Sequence, residues 1–289
     1  MYKPMKRLKN KVIFITGGSR GIGREMALLF ARDGAKIVLA AKTETPHPNL
    51  PGTIHSVAKE VADVGGEALP VVVDVRDNAA VESAMAETIR RFGKLDVLIN
   101  NASATGPQGL LETPLKKVDL VLDVNVRGTY HCNRAAMPNL LKSDNPHVLT
   151  LSPPLPTTDH WLGMFPGYAL SKYGMTMLTL GVAAEFRAQG VAGNTLWPRT
   201  LIATKAVEFM RPENYRRSRS PTIMAEAAYS IIAADSRIVS GNTFFDEDRL
   251  RDTGITDFDR FRTTAEVEPM VDMLIDDPVN IAAFPICQT

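Results

Sequence analysis

Thr16-Gly17-Gly18-Ser19-Arg20-Gly21-Ile22-Gly23 follows the apolar run Lys11 to Thr16 and leads into the Ala-, Leu- and Met-rich stretch Arg24 to Asp33. The order is strand, glycine-rich turn, helix. Glycines allow a tight turn and let the backbone approach an anion, which then meets the free N–H groups and positive dipole end of the helix. The spacing TGxxxGxG departs from the GxGxxG fingerprint, but its place between the first strand and the first helix points to a dinucleotide pyrophosphate as the anion.

Working outward, buried-strand runs recur at Lys36 to Ala41, Leu69 to Asp74, Leu95 to Asn100, His147 to Ser152 and Val191 to Trp197. Continuous Val/Ile/Leu runs predict strands covered on both faces. Helical stretches such as Asn78 to Phe92 and Tyr168 to Ala188 intervene, and Gly34, Gly93 and Gly190 mark helix ends. The alternation predicts an α/β fold with one doubly wound parallel sheet, strand order 3-2-1-4-5-6 and a seventh strand near Thr243 to Phe245. We read residues 9–245 as a single domain and residues 246–289 as an extension packing on it or on a neighbouring subunit.

With 289 residues, 33 Lys+Arg against 32 Asp+Glu and a net charge of +1, the chain lacks the basic excess of a nucleic-acid binder. Cys132 and Cys287 form no CxxC pair, and the five histidines form no HExxH motif, so no metal site is expected. The apolar run after the basic start is too short for a secretion signal or membrane span. A cytoplasmic location is the default expectation.

In dinucleotide folds an acidic residue closing the second strand binds the adenosine 2′-hydroxyl, whereas a cation there accommodates a 2′-phosphate. Here the strand ends Leu39-Ala40-Ala41-Lys42, and Lys42 with Arg20 supplies positive charge. NADP is therefore expected over NAD. Tyr168 and Lys172, four apart in Tyr-Ala-Leu-Ser-Lys, fall on one helix face. An ammonium beside a phenol favours the phenolate, which would lower the phenol's pKa and equip Tyr168 for proton transfer.

With Asp74-Val75, Asn100-Asn101-Ala102 and Asn125 added to these motifs, residues 9 to about 245 resemble the short-chain dehydrogenase/reductase family, which has a Rossmann fold. The resemblance implies an NADP-dependent oxidoreductase interconverting a carbonyl and an alcohol of a small-molecule substrate. Tyr168 would be the acid/base, Lys172 would bind the nicotinamide ribose and tune Tyr168, and Asn125 would hold a water in the proton relay. Gly17, Ser19, Arg20, Gly21, Ile22, Gly23, Lys42, Asp74, Val75, Asn101, Ala102 and Pro198 would line the cofactor site. The family's usual homodimers and homotetramers are likewise implied, through helix faces around Val118 to Tyr130 and Met175 to Leu180.

Several positions depart from the family pattern. Leu155 stands where the catalytic serine is usual, so Ser152, Thr157, Thr158 or a water is left to polarise the carbonyl. The alternative to an oxidoreductase is a cofactor-binding sensor or scaffold with weakened chemistry. Ser103 and Arg199 replace the family's glycines, and Arg199 either binds a substrate anion or points to solvent. Apolar residues Trp161, Met164, Phe165, Leu201, Ile202, Val207, Phe209 and Met210 either form a hydrophobic substrate site or pack a lid onto the core. Arg211 to Ser220, with Arg211, Arg216, Arg217 and Arg219, reads as a solvated basic loop at the expected ligand crevice.

Overall fold

The computed structural model describes residues 6–48, 50–210 and 212–276. β1 (Val12–Thr16), β2 (Lys36–Ala41), β3 (Glu67–Val72), β4 (Val97–Asn100), β5 (His147–Thr150), β6 (Ala192–Trp197) and β7 (Thr243–Phe245) form a parallel sheet of order β3-β2-β1-β4-β5-β6-β7. This is the expected doubly wound α/β arrangement, with the seventh strand where the sequence placed it. The helices are α1 (Gly21–Arg32), α2 (Ile54–Asp63), α3 (Asn78–Phe92), α4 (Leu115–Val121), α5 (Gly128–Leu140), α6 (His160–Met164), α7 (Pro166–Glu185), α8 (Lys205–Met210), α9 (Pro212–Tyr215), α10 (Thr222–Ile232) and α11 (Asp246–Asp252).

Alternation along the strands builds two cores. Ile13, Ile15, Ile37, Leu39 and Ile99 face α1, α2 and α10, whereas Val12, Phe14, Val38, Ala40 and Leu98 face α3, α5 and α7. Local chemistry sets the helix starts. Thr53 and Ser56 exchange side-chain and backbone bonds at the start of α2, and the Asp77 carboxylate accepts from the Ala79 and Ala80 amides at the start of α3. α3 ends at Gly93, whose φ of 79° suits the left-handed turn that closes it.

Three expectations need correction. β3 runs Glu67–Val72, two residues earlier than the apolar run indicated, because its register follows β2 from Lys36↔Glu67 to Ala41↔Val72. As the edge strand it is half-exposed and tolerates Pro70, so burial on both faces does not apply to it. The Arg211 to Ser220 loop is not simply solvated: Arg219 is buried, hydrogen-bonded to Glu247 and set 5.6 Å from the Phe258 ring. Arg211 lies outside the described residues.

Residues 246–276 pack onto the domain. Leu250, Phe258 and Phe261 join the α1/α10 core. Residues 270–276 then return across the carboxyl end of β6, held by Leu201 N–H donating to the Met270 carbonyl (2.9 Å) and Asp272 N–H donating to the Arg199 carbonyl (3.1 Å). Residues 277–289 lie outside the described residues.

Candidate active site

At the carboxyl end of β1 the backbone makes the turn that the glycines permit. Gly17 and Gly21 have φ of 67° and 55°, the left-handed region that glycine adopts without strain. A methyl group on Gly23 would lie 2.6 Å from the Gly17 carbonyl oxygen and 2.7 Å from Asn101 Nδ2. The Thr16 hydroxyl accepts from the Asn101 and Ala102 amides, both at 3.0 Å, and Asn101 Nδ2 donates to the Thr16 carbonyl at 2.8 Å. The ends of β1 and β4 are thereby locked side by side.

The result is a cleft of about 590 Å³ at the carboxyl edge of the sheet, beside the point where strand order reverses. Of the residues that the sequence places at a cofactor, Gly17, Ser19, Arg20, Gly21, Ile22, Lys42, Asp74, Val75, Asn101 and Ala102 line it. Gly23 lies beneath the turn instead, and Pro198 is buried outside the lining. Thr43, Lys117, Thr204, Lys205 and Ala206 also line the cleft. The sequence reading missed them; Thr204 to Ala206 follow the sixth strand, where a crevice was expected, but no residue type there singled them out.

Arg20 Nη2 donates to the Gly52 carbonyl at 3.1 Å, and exposed Lys42 lines the same cleft. Asp74 lies two residues past β3 and forms a two-pronged pair with Arg76, Nε to Oδ1 at 2.9 Å and Nη2 to Oδ2 at 2.6 Å. The Arg76 hydrogen bonds hold the Asp74 carboxyl below the usual range. No carboxylate closes β2; its last residues in the cleft are Ala40, Ala41 and Lys42. The glycine turn, the first-turn N–H groups of α1 and these two cations are the groups that could hold a dinucleotide.

Asn125, fully buried behind the cleft-lining loop, sits on a π-helical turn, Leu122–Arg127, between α4 and α5. Its Oδ1 accepts from the Ala104 amide at 2.8 Å, and its Nδ2 donates to the Ala104 carbonyl at 3.0 Å and to Ser171 Oγ at 2.9 Å. Asn125 thus ties the cleft-lining loop after β4 to α7.

Tyr168 and Lys172 share one face of α7, both buried and outside the cleft lining; Tyr168 packs with Trp161, Tyr173, Trp197, Leu274 and Ile275. Lys172 Nζ donates to the Leu151 carbonyl at 2.8 Å, approaches Ser103 Oγ at 3.4 Å and lies 5.0 Å from the Trp197 ring centroid. Burial dominates their protonation. It pushes the Tyr168 phenol upward, aided by the Asp272 charge, and pulls Lys172 down to about 7. The lowered phenol anticipated from Lys172 is therefore corrected: Tyr168 is buried with Leu274 and Ile275, and desolvation raises it.

The candidate carbonyl-polarising groups are differently placed. Ser152 is 0% exposed, outside the cleft lining, with its Oγ 2.9 Å from Thr176 Oγ1. Thr157 and Thr158 are both engaged by Asp276, their hydroxyls at 2.7 Å. Arg199 pairs with Asp248 and sits 4.1 Å from the Phe245 ring centroid. Trp161 and Ile202 pack in cores, and the Met210 side chain lies outside the described residues. Among the described residues there is no His/Cys/Asp/Glu group fit for a metal, and no helix is long and apolar enough to cross a membrane.

Comparison with known proteins agrees with this architecture. The family model described as short chain dehydrogenase matches residues 11–214. The chain is 46% identical over 271 residues to hydroxysteroid dehydrogenase-like protein 2 of Danio rerio, which covers 93% of this chain and 64% of that protein. It spans about half to two thirds of the length of such relatives. A crystal structure of a short chain dehydrogenase from Mycobacterium thermoresistibile superposes with a TM-score of 0.89 at 45% identity, over 94% of this chain and 97% of that one. A more distant structure, a short chain dehydrogenase from Mycobacterium paratuberculosis bound to NAD, shares the fold with a TM-score of 0.70 at 20% identity, over 83% of this chain and 97% of that one. The chain belongs to the short-chain dehydrogenase/reductase family, oxidoreductases that work with nicotinamide cofactors.

Proposed function

We propose that the chain is an NADP(H)-dependent oxidoreductase that interconverts a carbonyl and an alcohol on a hydrophobic, lipid- or steroid-like small molecule. The observation that carries the cofactor preference is the residue that follows β2: Lys42 stands there in place of a carboxylate, Arg20 lines the same cleft, and the cleft's carboxylate, Asp74, is paired with Arg76. A 2′-phosphate finds two cations in the cleft, whereas the acidic residue that would accept from a ribose 2′-hydroxyl is absent from the end of β2. The fit is supported by the Gly17 position, where a side-chain Cβ would come within 2.8 Å of Asn101 Nδ2.

NADPH, when bound, supplies the hydride that the chain's own residues cannot. In the reducing direction Tyr168 gives its phenolic proton to the carbonyl oxygen, and in the oxidising direction the phenolate takes it back. Lys172 stabilises that phenolate by its positive charge. Asn125 holds the Ser103 to Thr105 loop against α7 and so fixes one wall of the site. Apolar Leu120 and Val124 in the cleft wall support an apolar substrate. A cytoplasmic location belongs to the same reading. Exposed Tyr130 on α5 and Leu170 and Met177 on α7 support a homodimer or homotetramer through these helices, which light scattering tests.

Two measurements decide the reading. Purified protein should bind NADPH more tightly than NADH, and the double variant Arg20→Ala/Lys42→Ala should lose about tenfold to a hundredfold of NADPH affinity with NADH binding little changed. Equal binding of the two cofactors by the unmodified protein overturns the NADP assignment. Against a panel of aldehydes and ketones, Tyr168→Phe should abolish NADPH oxidation while still binding NADPH; retained turnover removes Tyr168 from the chemistry.

A further inference from the structure

The segment that covers Tyr168 and Lys172 brings a carboxylate with it. Asp272 is 9% exposed, and three contacts fix its place. Its own N–H donates to the Arg199 carbonyl at 3.1 Å, the Met273 N–H donates back to its Oδ1 at 2.7 Å, and the Met273 carbonyl accepts from Trp197 Nε1 at 2.9 Å. Trp197 is the ring under Lys172 Nζ, and Tyr168 packs in the same cluster as Leu274 and Ile275. Asp272 lies beyond residues 11–214, the part matched by the family model.

We propose that Asp272 is a positioning residue of this active site, the counter-charge through which the C-terminal segment keeps Lys172 and Tyr168 protonated. The proposal rests on the assignment of Tyr168 and Lys172 to proton transfer. Its physical basis is the cost of burying an ammonium. The close partners of Lys172 Nζ, the Leu151 carbonyl, Ser103 Oγ, Met175 Sδ and the Trp197 ring, are all uncharged. Removing a lone ammonium from water costs several kcal/mol unless an opposite charge faces it. Asp272 is the carboxylate brought to this cluster, since the Met273 carbonyl beside it accepts from Trp197, the ring that lies 5.0 Å from Lys172 Nζ; its charge favours the proton on Lys172 and opposes ionisation of Tyr168. Burial in turn pushes Asp272 up to about 7, against the attraction of Lys172, so the two groups titrate as a pair.

The charged groups around them are otherwise engaged. On the same segment Asp276 is held by Thr157 and Thr158; after β6 the Arg199 guanidinium is held by Asp248; on α11 the Asp246 carboxylate accepts from the Arg199 and Glu247 amides. Tyr173 on α7 and His160 on α6 complete the titratable set.

The test follows Lys172 by its 13Cε resonance and Asp272 by its 13Cγ resonance in labelled full-length protein, assigned by their loss in Lys172→Met and Asp272→Asn. In the unmodified protein each resonance should show an inflection at the other's titration. Independent single titrations of the two groups in the unmodified protein overturn the proposal. In Asp272→Asn the Lys172 titration should fall by about one unit or more, a tenfold or greater change in its proton affinity, and Asp272→Glu should restore it. An unmoved Lys172 titration in Asp272→Asn overturns the proposal. Where the substrate panel gives turnover, the alkaline limb of the reduction should move to lower pH in Asp272→Asn and return in Asp272→Glu. Retained turnover in Tyr168→Phe defeats the acid/base reading alone. An inactive Tyr168→Phe with uncoupled titrations defeats only the role of Asp272.

Discussion

Gly23 leaves no room for a methyl group, because its missing Cβ would press on the Gly17 carbonyl and on Asn101 Nδ2. Both neighbours are fixed, one as backbone and the other by its bond to the Thr16 carbonyl at 2.8 Å. The helix cannot retreat without opening the turn. Gly23→Ala should therefore cost about 1–3 kcal/mol of stability, the usual range for overpacking a tight site, and should weaken NADPH binding with it. Thermal unfolding and cofactor titration check this together; a variant as stable and as tightly binding as the parent shows that the turn is more yielding than its geometry implies. The same stretch was legible in the sequence, because glycine spacing between a strand and a helix has few other uses. Ser152 was less legible: a serine past a strand end can turn either way, and packing against Thr176 turned it inward.

At the scale of an element, the π-helical turn between α4 and α5 gives Asn125 its inward aim. One extra residue per turn displaces the side chain from the regular helical face and lets it hold both the N–H and the carbonyl of Ala104. Asn125→Ala should leave these groups short of partners at a cost of about 1–3 kcal/mol. The loop carrying Ser103 to Thr105 should loosen, seen as faster amide exchange there and weaker NADPH binding, whereas a purely local loss of stability would leave cofactor affinity unchanged. The Asn125 candidate came from motif order, but periodicity could not reveal the π turn. Helical patterning identifies a face and is silent about a single inserted residue.

At the scale of the molecule, the seven strands bury His147 at the start of β5, with Nε2 donating to the Ala234 carbonyl at 3.1 Å. Burial lowers its pKa from 6.5 to about 4. Between those values the unfolded chain binds the proton and the folded one does not, so stability present above pH 6.5 is lost as pH falls toward 4. The loss amounts to about 3 kcal/mol. Denaturant unfolding at stepped pH should show this acid limb, and His147→Gln should flatten it; an equally steep limb in the variant assigns the acid sensitivity elsewhere.

Alternating strand and helix patterns, the glycine turn, the cation at the end of β2 and the Tyr168/Lys172 spacing were all fixed by residue type and short-range order. They determined the doubly wound fold, its strand order and the edge of the sheet that carries the cleft. Only tertiary structure decided what covers the reacting pair. Asp272 lies a hundred residues from Lys172 along the chain. Nothing local marks it, since a carboxylate in an acidic tail looks the same whether solvated or buried. Its position depends on the return of residues 270–276 over β6, through backbone bonds that any sequence can make. Tyr168 is buried with Leu274 and Ile275 of that segment, and its desolvation is a property of the assembled chain.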